Sequence, residues 1–177
     1  MRTPKLVFVD KTSVTTKMVR YSGRAPRGER LVASVPHGHW KTLTPIAALR
    51  VDGFTAPFVI DGAMDGAAFM AHIDQVLVPT LVKGDIVFTD NLRTHKVDGV
   101  REAIADVGAS VRYQPAYSAD LTAIEMAFSK LKAALRKGAK RSVKELWRLI
   151  EKLLKSFAPA ECANYFRHAG SAHGSIF

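Results

Sequence analysis

Two short apolar segments, each ending in an aspartate, constrain the fold of this chain more than any other feature. Residues 5–10 (KLVFVD) and 85–90 (DIVFTD) are rich in β-branched and aromatic side chains, and they end at Asp10 and Asp90. Such runs predict buried strands. Because open α/β sheets place their ligand sites at the carboxyl ends of strands, both aspartates are candidate site residues.

The remaining periodicities predict an α/β protein. Further strands are expected at 42–51, 54–60 and 109–114, and helices at 65–80, 97–107, 120–137, 142–156 and 159–168. Asp52-Gly53 indicates a hairpin turn between two of the strands, and Pro45 and Pro57 suit edges or bulges. This order favours one domain over residues 1–177, with a mixed five-stranded sheet flanked by helices.

The charge balance favours a polyanionic partner. Lys and Arg number 26 against 16 Asp and Glu, which gives a formal net charge of +10. Each cation placed on a phosphate releases a condensed counterion, so such a chain gains affinity for nucleic acid. Charge alone leaves DNA, RNA and a membrane surface open.

Other features limit the function classes. No run approaches the roughly 18 apolar residues of a membrane helix, and the first residues do not resemble a signal peptide, so we expect a cytoplasmic protein. The single cysteine, Cys162, excludes a disulfide framework and a cysteine-based zinc site. His37 and His39 lack a third ligand nearby, and Trp40 is expected to be partly buried rather than stacked on a base.

A third acidic residue, Glu125, is expected near the start of a helix. Three carboxylates on rigid elements can hold two divalent cations for phosphoryl transfer on DNA. Taken singly, each acid also has a structural explanation. Asp10 can be a polar strand end, and Asp90 can belong to a turn. Glu125 can form a capping box with Thr122, with Asp120 as a second candidate for the N-cap.

Three ordered motifs carry a family resemblance. DNLRTHK (90–96) resembles the second-aspartate motif of the mariner-like DDE transposases, in which an Asp-Asn pair is followed by a His. YSADLTAIEMAF (117–128) is similar to the third-acid motif, Tyr-Ser-Pro-Asp-Leu-Asn-Pro-Ile-Glu, and LVFVDKT (6–12) stands where the family has its first Asp. The 34 residues between Asp90 and Glu125 are typical of the superfamily.

Two further stretches, 23–42 and 159–170, also resemble bacterial insertion-sequence transposases, so the resemblance covers almost the whole chain. It implies a ribonuclease-H-like fold in which Asp10, Asp90 and Glu125 bind two Mg²⁺ or Mn²⁺ ions. The implied reaction is DNA cleavage at transposon ends and strand transfer into target DNA, by a homodimer at the bacterial nucleoid. Asn91 and His95 are expected to support the metal ligands or to contact a phosphate.

Two alternatives stay open beside the transposase. One is a catalytically decayed, basic remnant that only binds DNA, and the other is a nuclease of the same fold that cuts without joining. Family members usually carry a helix-turn-helix module before the core. We expect none before Asp10, and therefore weak DNA binding with little sequence preference.

The chain departs from the family pattern at four positions. Lys11 stands where the family commonly has Glu, and strand alternation predicts that it faces away from Asp10. Ala119 and Ala123 replace the two prolines of the third motif, and Thr122 replaces its Asn. Loss of both prolines is expected to loosen the loop that aims Glu125.

Two basic segments are candidates for contacting the DNA backbone. Residues 130–155 contain ten basic and two acidic residues, and residues 17–30, a predicted basic hairpin or loop, contain five and one. A solvated helix face is the alternative for the first segment. Phosphate contacts would position DNA without reading its sequence. The candidates are Arg24, Arg27, Arg30, Lys130, Lys132, Arg136, Lys137, Lys140 and Arg141.

Overall fold

A computed structural model describes residues 5–115 and 122–170. It contains six strands in this part of the chain, and every predicted strand is present. They are β1 (Leu6–Lys11), β2 (Val14–Thr15), β3 (Thr42–Arg50), β4 (Gly53–Asp61), β5 (Ile86–Thr89) and β6 (Ser110–Tyr113).

The strands form one mixed sheet. β3 pairs antiparallel with both β1 and β4, whereas β1 pairs parallel with β5, and β5 pairs parallel with β6. The short β2 continues β1 along the same β3 edge, since Lys11 lies opposite Ile46 and Val14 lies opposite Leu43. The predicted mixed sheet is therefore confirmed, with the two-residue β2 as an addition that the sequence did not predict.

The two strand prolines occupy different environments. Pro45 lies in β3, between its neighbours β1 and β4, where the ladder from β1 to β2 is interrupted. Its missing N–H leaves a single bond at this point, from Thr12 N to the Pro45 carbonyl oxygen at 2.9 Å. Pro57 lies at a bulge in β4, as predicted, beside Ala56 with a φ of 50°.

The hairpin turn lies one residue earlier than the sequence predicted. Arg50 pairs with Gly53, so Val51 and Asp52 form the two-residue turn and Gly53 is already the first residue of β4. The prediction of Asp52-Gly53 as the turn was therefore wrong in register. The hairpin itself, between β3 and β4, is confirmed.

In the described residues, five α-helices flank the sheet: α1 (Gly66–His72), α2 (Val100–Asp106), α3 (Ala123–Gly138), α4 (Val143–Leu154) and α5 (Pro159–His168). The predicted helix over 65–80 is split into α1, a π-helical segment (Ile73–Leu77) and a 3₁₀ turn (Val78–Thr80). Val78 N bonds to the Ile73 carbonyl, five residues back, directly before Pro79, which has no N–H to continue the helix.

Two hydrophobic layers cover the sheet. On one face α3, α4 and α5 pack against side chains that include Phe8 and Leu49, and on the other face α1 and α2 pack against Val7 and Val9. Successive residues of a strand point to opposite faces, so Asp10, two residues after Phe8, belongs to the α3 side. Within the described residues, no helix has both the length and the apolar character needed to cross a membrane.

Candidate active site

Asp10 and Asp90 lie at the same end of the sheet, on neighbouring parallel strands. Val9 pairs with Thr89 in the β1–β5 ladder, and Asp10 and Asp90 are the next residues in that register. Neighbouring strands are about 4.8 Å apart, and residues in register on parallel strands share a face. The ladder therefore brings together two acids that are 80 positions apart in the sequence.

Glu125 approaches from the first turn of α3. The helix is held against the sheet by buried Ile124, Phe128 and Leu131. Thr122 is the N-cap residue, but its side chain does not accept a hydrogen bond from the first turn, so this half of the predicted capping box is not formed. The second candidate for the N-cap, Asp120, lies outside the described residues.

The electrostatics of Asp10 show how near the three acids are. Burial, together with the negative charges of Asp90 and Glu125, raises the pKa of Asp10 to about 7. The Lys11 backbone N–H, which donates to Asp10 Oδ1 at 2.7 Å, opposes these effects. The Asp10 carboxyl group therefore lies close enough to Asp90 and Glu125 for their charges to affect its ionisation.

Lys11 also affects Asp10 through its side chain. It follows Asp10 in β1 and lies opposite Ile46, so alternation directs it to the other face of the sheet, in agreement with the prediction. Its positive charge still lowers the Asp10 pKa, as the weakest of the contributing influences. The cation that replaces the family's Glu therefore lies beside the acidic cluster.

Asp90 is held by the turn that follows β5. Its Oδ1 accepts a hydrogen bond from Leu92 N at 3.3 Å and is in contact with Nδ1 of the buried His95. Thr89 Oγ1 lies 3.0 Å from the same ring nitrogen. The sequence motif indicated His95 but not Thr89, and Asn91 is exposed to solvent.

The side chains of the three acids are not close enough together to coordinate one metal ion in their present conformations. Within residues 5–115 and 122–170, no three or more His, Cys, Asp or Glu side chains are grouped closely enough to hold a metal ion. The donor set itself suits a hard divalent cation, since it consists of carboxylate oxygens. Mutual repulsion at Asp10 is also the electrostatic condition that a bound cation would relieve.

The basic segment near the amino terminus is an exposed loop rather than a hairpin. Residues 16–41 contain no strand or helix, and Arg24, Arg27 and Arg30 are all exposed. Trp40 is 54% exposed, with Lys17 Nζ 4.5 Å from its ring centre, so the prediction of a partly buried tryptophan was wrong. The indole belongs to neither hydrophobic cluster of the described residues.

Several predicted DNA-contacting residues have partners within the chain. Arg136 donates to Tyr21 Oη at 3.0 Å and stacks on its ring, and Arg141 donates to the Thr16 and Met18 carbonyls. These contacts tie the start of the exposed loop to α3 and to the turn after it.

The lysines of this region fall into two groups. Lys130 pairs with Glu161 at 2.5 Å, and Lys140 lies 3.7 Å from Glu145. Lys132 and Lys137 form no ion pair among the described residues. Lys132 is seven residues, or about two helical turns, after Glu125, so both lie on the same face of α3.

Carboxylates at the ends of parallel strands, with a third on a helix beside them, are the donor type that divalent cations need in phosphoryl-transfer sites. The family model of the DDE superfamily endonucleases matches residues 5–150. The chain belongs to this superfamily, as the motifs predicted. No protein with a curated description matches it in sequence.

Solved structures share the fold. A pre-cleavage Mos1 transpososome superimposes with a TM-score of 0.72 at 13% identity, over 97% of this chain and 56% of that one. The Mos1 strand transfer complex gives 0.71 at 16% identity, over 94% and 51%. The catalytic domain of Mos1 mariner transposase gives 0.67 at 14% identity, over 94% and 76%.

These matches confirm the predicted ribonuclease-H-like fold, with its mixed sheet and flanking helices. The chain spans about half the length of the transposases in the two complexes.

Proposed function

We propose that this chain is the catalytic core of a cut-and-paste transposase, which cleaves DNA at transposon ends and joins the ends to target DNA. The proposal is supported by the placement of Asp10 and Asp90 at the ends of neighbouring parallel strands in an endonuclease-superfamily fold, with Glu125 near enough for its charge to raise the pKa of Asp10. The strand transfer complex and the transpososome among the similar structures support joining as well as cutting.

We further propose that the three carboxylates hold two Mg²⁺ or Mn²⁺ ions. Structures of the Mos1 paired-end complex with Mn and with Mg support this choice of metal. When bound, such ions activate the attacking oxygen and stabilise the leaving oxygen of the phosphodiester. They would also offset the repulsion among three acids in a partly buried place.

The residues of the chain orient these ligands before any ion binds. The contacts to Asp10 and Asp90 fall on Oδ1 of each carboxylate, from Lys11 N and from Leu92 N and His95. Among the described residues, no hydrogen bond or ion pair reaches Oδ2 of either carboxylate, so this oxygen is available to a ligand. Preorganised ligands lower the cost of assembling the site when substrate arrives.

We propose that the DNA backbone follows α3 away from Glu125. Lys132 lies on the same helix face, about 10 Å along the axis from Glu125, and its charge has no ion-pair partner among the described residues. The loop containing Arg24, Arg27 and Arg30 is tied to the far end of the same helix. A half-buried Lys132 and the exposed arginines of the loop would therefore continue the path outward from the acids.

The remaining parts of the proposal follow from the reaction. Two transposon ends must be handled together, so we propose a homodimer on DNA. We propose that the protein acts in the bacterial cytoplasm, at the nucleoid, where its DNA substrate would lie. Asn91, exposed beside Asp90, is proposed to contact the phosphate or the metal-bound water.

A plasmid-cleavage assay tests the proposal. Purified protein is incubated with supercoiled plasmid DNA and Mn²⁺ or Mg²⁺, and the wild type is compared with Asp90→Asn. The loss of one carboxylate charge is expected to reduce nicking at least about 10³-fold, in the range of removing a group essential to the transition state. DNA affinity should stay close to the wild-type value. Asp74→Asn, at an exposed position on the π-helical segment, is the control.

A second assay separates the alternatives. An oligonucleotide with a free 3′-hydroxyl is offered for joining to the plasmid. Nicking without joining would favour a nuclease of the same fold. Equal DNA binding by the wild type and Asp90→Asn, without metal-dependent nicking by either, would favour the decayed remnant and contradict the proposal.

A further inference from the structure

We propose that His95 is a positioning residue, which fixes the orientation of the Asp90 carboxylate so that it can bind metal. The inference rests on the proposed function, because it concerns the same site. His95 ends a 3₁₀ turn (Arg93–His95) that begins three residues after β5, and its side chain has no exposed surface. A buried imidazole in contact with a partly exposed carboxylate is the starting observation.

The hydrogen-bonding chemistry assigns the proton at this contact. Asp90 as a carboxylate only accepts, so the proton between the two groups belongs to Nδ1 of His95. Nε2 is buried and has no partner among the described residues. An unpaired lone pair on Nε2 costs less than an unpaired N–H donor, which favours a proton on Nδ1 rather than on Nε2.

The position of His95 is fixed by contacts from α1, from β6 and from its own turn. It stacks on Phe69 of α1, with ring centres 4.2 Å apart and an interplanar angle of 19°. The Tyr113 hydroxyl, at the end of β6, donates to the His95 carbonyl at 3.2 Å. His95 N donates to the Leu92 carbonyl at 3.0 Å. Because both ring plane and backbone are fixed, the Nδ1–H direction is fixed as well.

Asp90 needs such a support. It lies one residue beyond the last ladder position of β5, and its side chain is 34% exposed. A carboxylate at that place has several rotamers available, each aiming its oxygens differently. Partners that orient a metal ligand typically change metal affinity by about 10- to 100-fold when they are lost.

His72 provides a matched comparison within the same layer. It is as fully buried as His95 and lies near the same Phe69 ring, with centres 6.4 Å apart. Its Nε2 contacts the Ala56 carbonyl at 2.9 Å, not an acidic residue. Substitution of His72 therefore tests the cost of losing a buried imidazole without disturbing Asp90.

The experiment compares His95→Gln, His95→Asn and His72→Gln in the full chain. An Asn amide reaches the place of Nδ1, whereas a Gln amide reaches the place of Nε2, so only the first retains a donor toward Asp90. Mn²⁺ affinity is measured by calorimetry, kcat and KM by plasmid nicking, and folding by thermal unfolding. We expect His95→Gln to lower Mn²⁺ affinity by about 10- to 100-fold and to lower kcat more than it changes KM for DNA. His95→Asn should stay close to the wild type.

Two results would overturn the inference. One is a folded His95→Gln with wild-type metal affinity and kcat. The other is an equal loss in His72→Gln, which would show a general effect of core packing. A wild type that binds Mn²⁺ but does not nick DNA would instead contradict the proposed function, while the calorimetric comparison still decides the role of His95.

A measurement on the unsubstituted protein covers the case in which the variants fail to fold. Histidine-labelled ¹⁵N NMR of the wild type reports which ring nitrogen carries the proton. A buried ring protonated at Nδ1, whose signal shifts in Asp90→Asn, supports the inference. Protonation at Nε2 alone would contradict it.

Discussion

Asp10 and Asp90 are positioned by the hydrogen-bonded ladder of two neighbouring parallel strands, whereas Glu125 is positioned by where α3 begins and how it packs. The ladder fixes the two aspartates through backbone register, so every buried residue of β1 and β5 contributes to their alignment. Glu125 instead depends on side-chain packing by Phe128 and Leu131, one to two turns further along the helix.

The two halves of the site, the sheet half (Asp10 and Asp90) and the helix half (Glu125), also differ in the electrostatic cost of placing their acids. The sheet half buries a carboxyl group, whose pKa rises to about 7. The helix half places its acid at a helix amino end, where the partial positive charge of the macrodipole favours an anion. The same helix then presents Lys132 on the Glu125 face. Under the proposed function, burial of the metal ligand Asp10 lowers the stability of the sheet half, whereas the helix half combines the ligand Glu125 with a cation that can contact DNA.

The largest expected effect is on the pH dependence of folding stability, to which the buried Asp10 of the sheet half contributes. The folded-state pKa of Asp10 is raised above its ordinary value of 3.8. Its contribution to stability is therefore present below about pH 4 and is lost as the pH rises through about 7. In the presence of a metal chelator at about pH 8, the free energy of unfolding of Asp10→Asn should exceed that of the wild type by about 2 to 4 kcal/mol. Urea unfolding at several pH values measures the difference.

Glu125→Gln is the matched control for the helix half. The substitution removes a charge that the helix amino end favours, so we expect a small loss of stability, a few tenths of a kcal/mol. Saturating Mg²⁺ should stabilise the wild type more than Asp10→Asn, because only the wild type keeps the full ligand set. Equal stabilisation by both amide substitutions at high pH would remove the distinction between the two halves.

A smaller effect is expected on DNA binding from the helix half alone. Lys132→Ala should lower affinity for a plain duplex several-fold and reduce the slope of log affinity against log salt by about one. The reason is the loss of a single phosphate contact near Glu125. Fluorescence anisotropy over a range of salt concentrations measures both quantities.

Lys83→Ala provides the charge-matched control. Lys83 is exposed in the turn before β5, at the end of the sheet opposite to Asp90. Its loss should leave the salt slope unchanged. If both variants weaken binding equally, the attraction would be a property of total charge, and the proposed path along α3 would be excluded.

The sheet half was the more predictable of the two. The strands that end at Asp10 and Asp90 follow from local composition, and their adjacency follows from the general behaviour of parallel strands. β2 escaped prediction because two residues contain no periodicity. Its existence depends on Pro45, 30 positions later, which interrupts the ladder.

Contacts between distant parts of the chain were not predictable from local pattern. The Phe69 ring that stacks on His95 lies 26 positions earlier, and Tyr21 lies 115 positions before Arg136. For His95 the family motif was the only available signal. Arg136 and Arg141 appeared in the sequence as free cations, because nothing in the local charge pattern indicates a distant aromatic ring or carbonyl group.

The smallest expected effect concerns the start of α3, where the chain lacks a proline of the family motif. Ala123 is the first residue of the helix, a position that needs no N–H donor. Thr122 has a φ of −101° and a ψ of 136°, which a residue before proline readily adopts. Ala123→Pro is therefore expected to stabilise the protein by about 0.4 to 1 kcal/mol, through lower entropy of the unfolded chain.

Ala127→Pro, in the interior of the same helix, is the control and should cost about 3 kcal/mol or more.

The outcome for Ala123→Pro depends on space, because the Ala123 side chain is completely buried and the ring needs room for two more carbons. Thermal unfolding and plasmid nicking are measured together. Higher stability with faster nicking would mean that the placement of Glu125 limits the reaction. Higher stability with unchanged nicking would mean that packing by Phe128 and Leu131 already positions Glu125. A loss of stability would show that the alanine fills a space in which the family's proline does not fit.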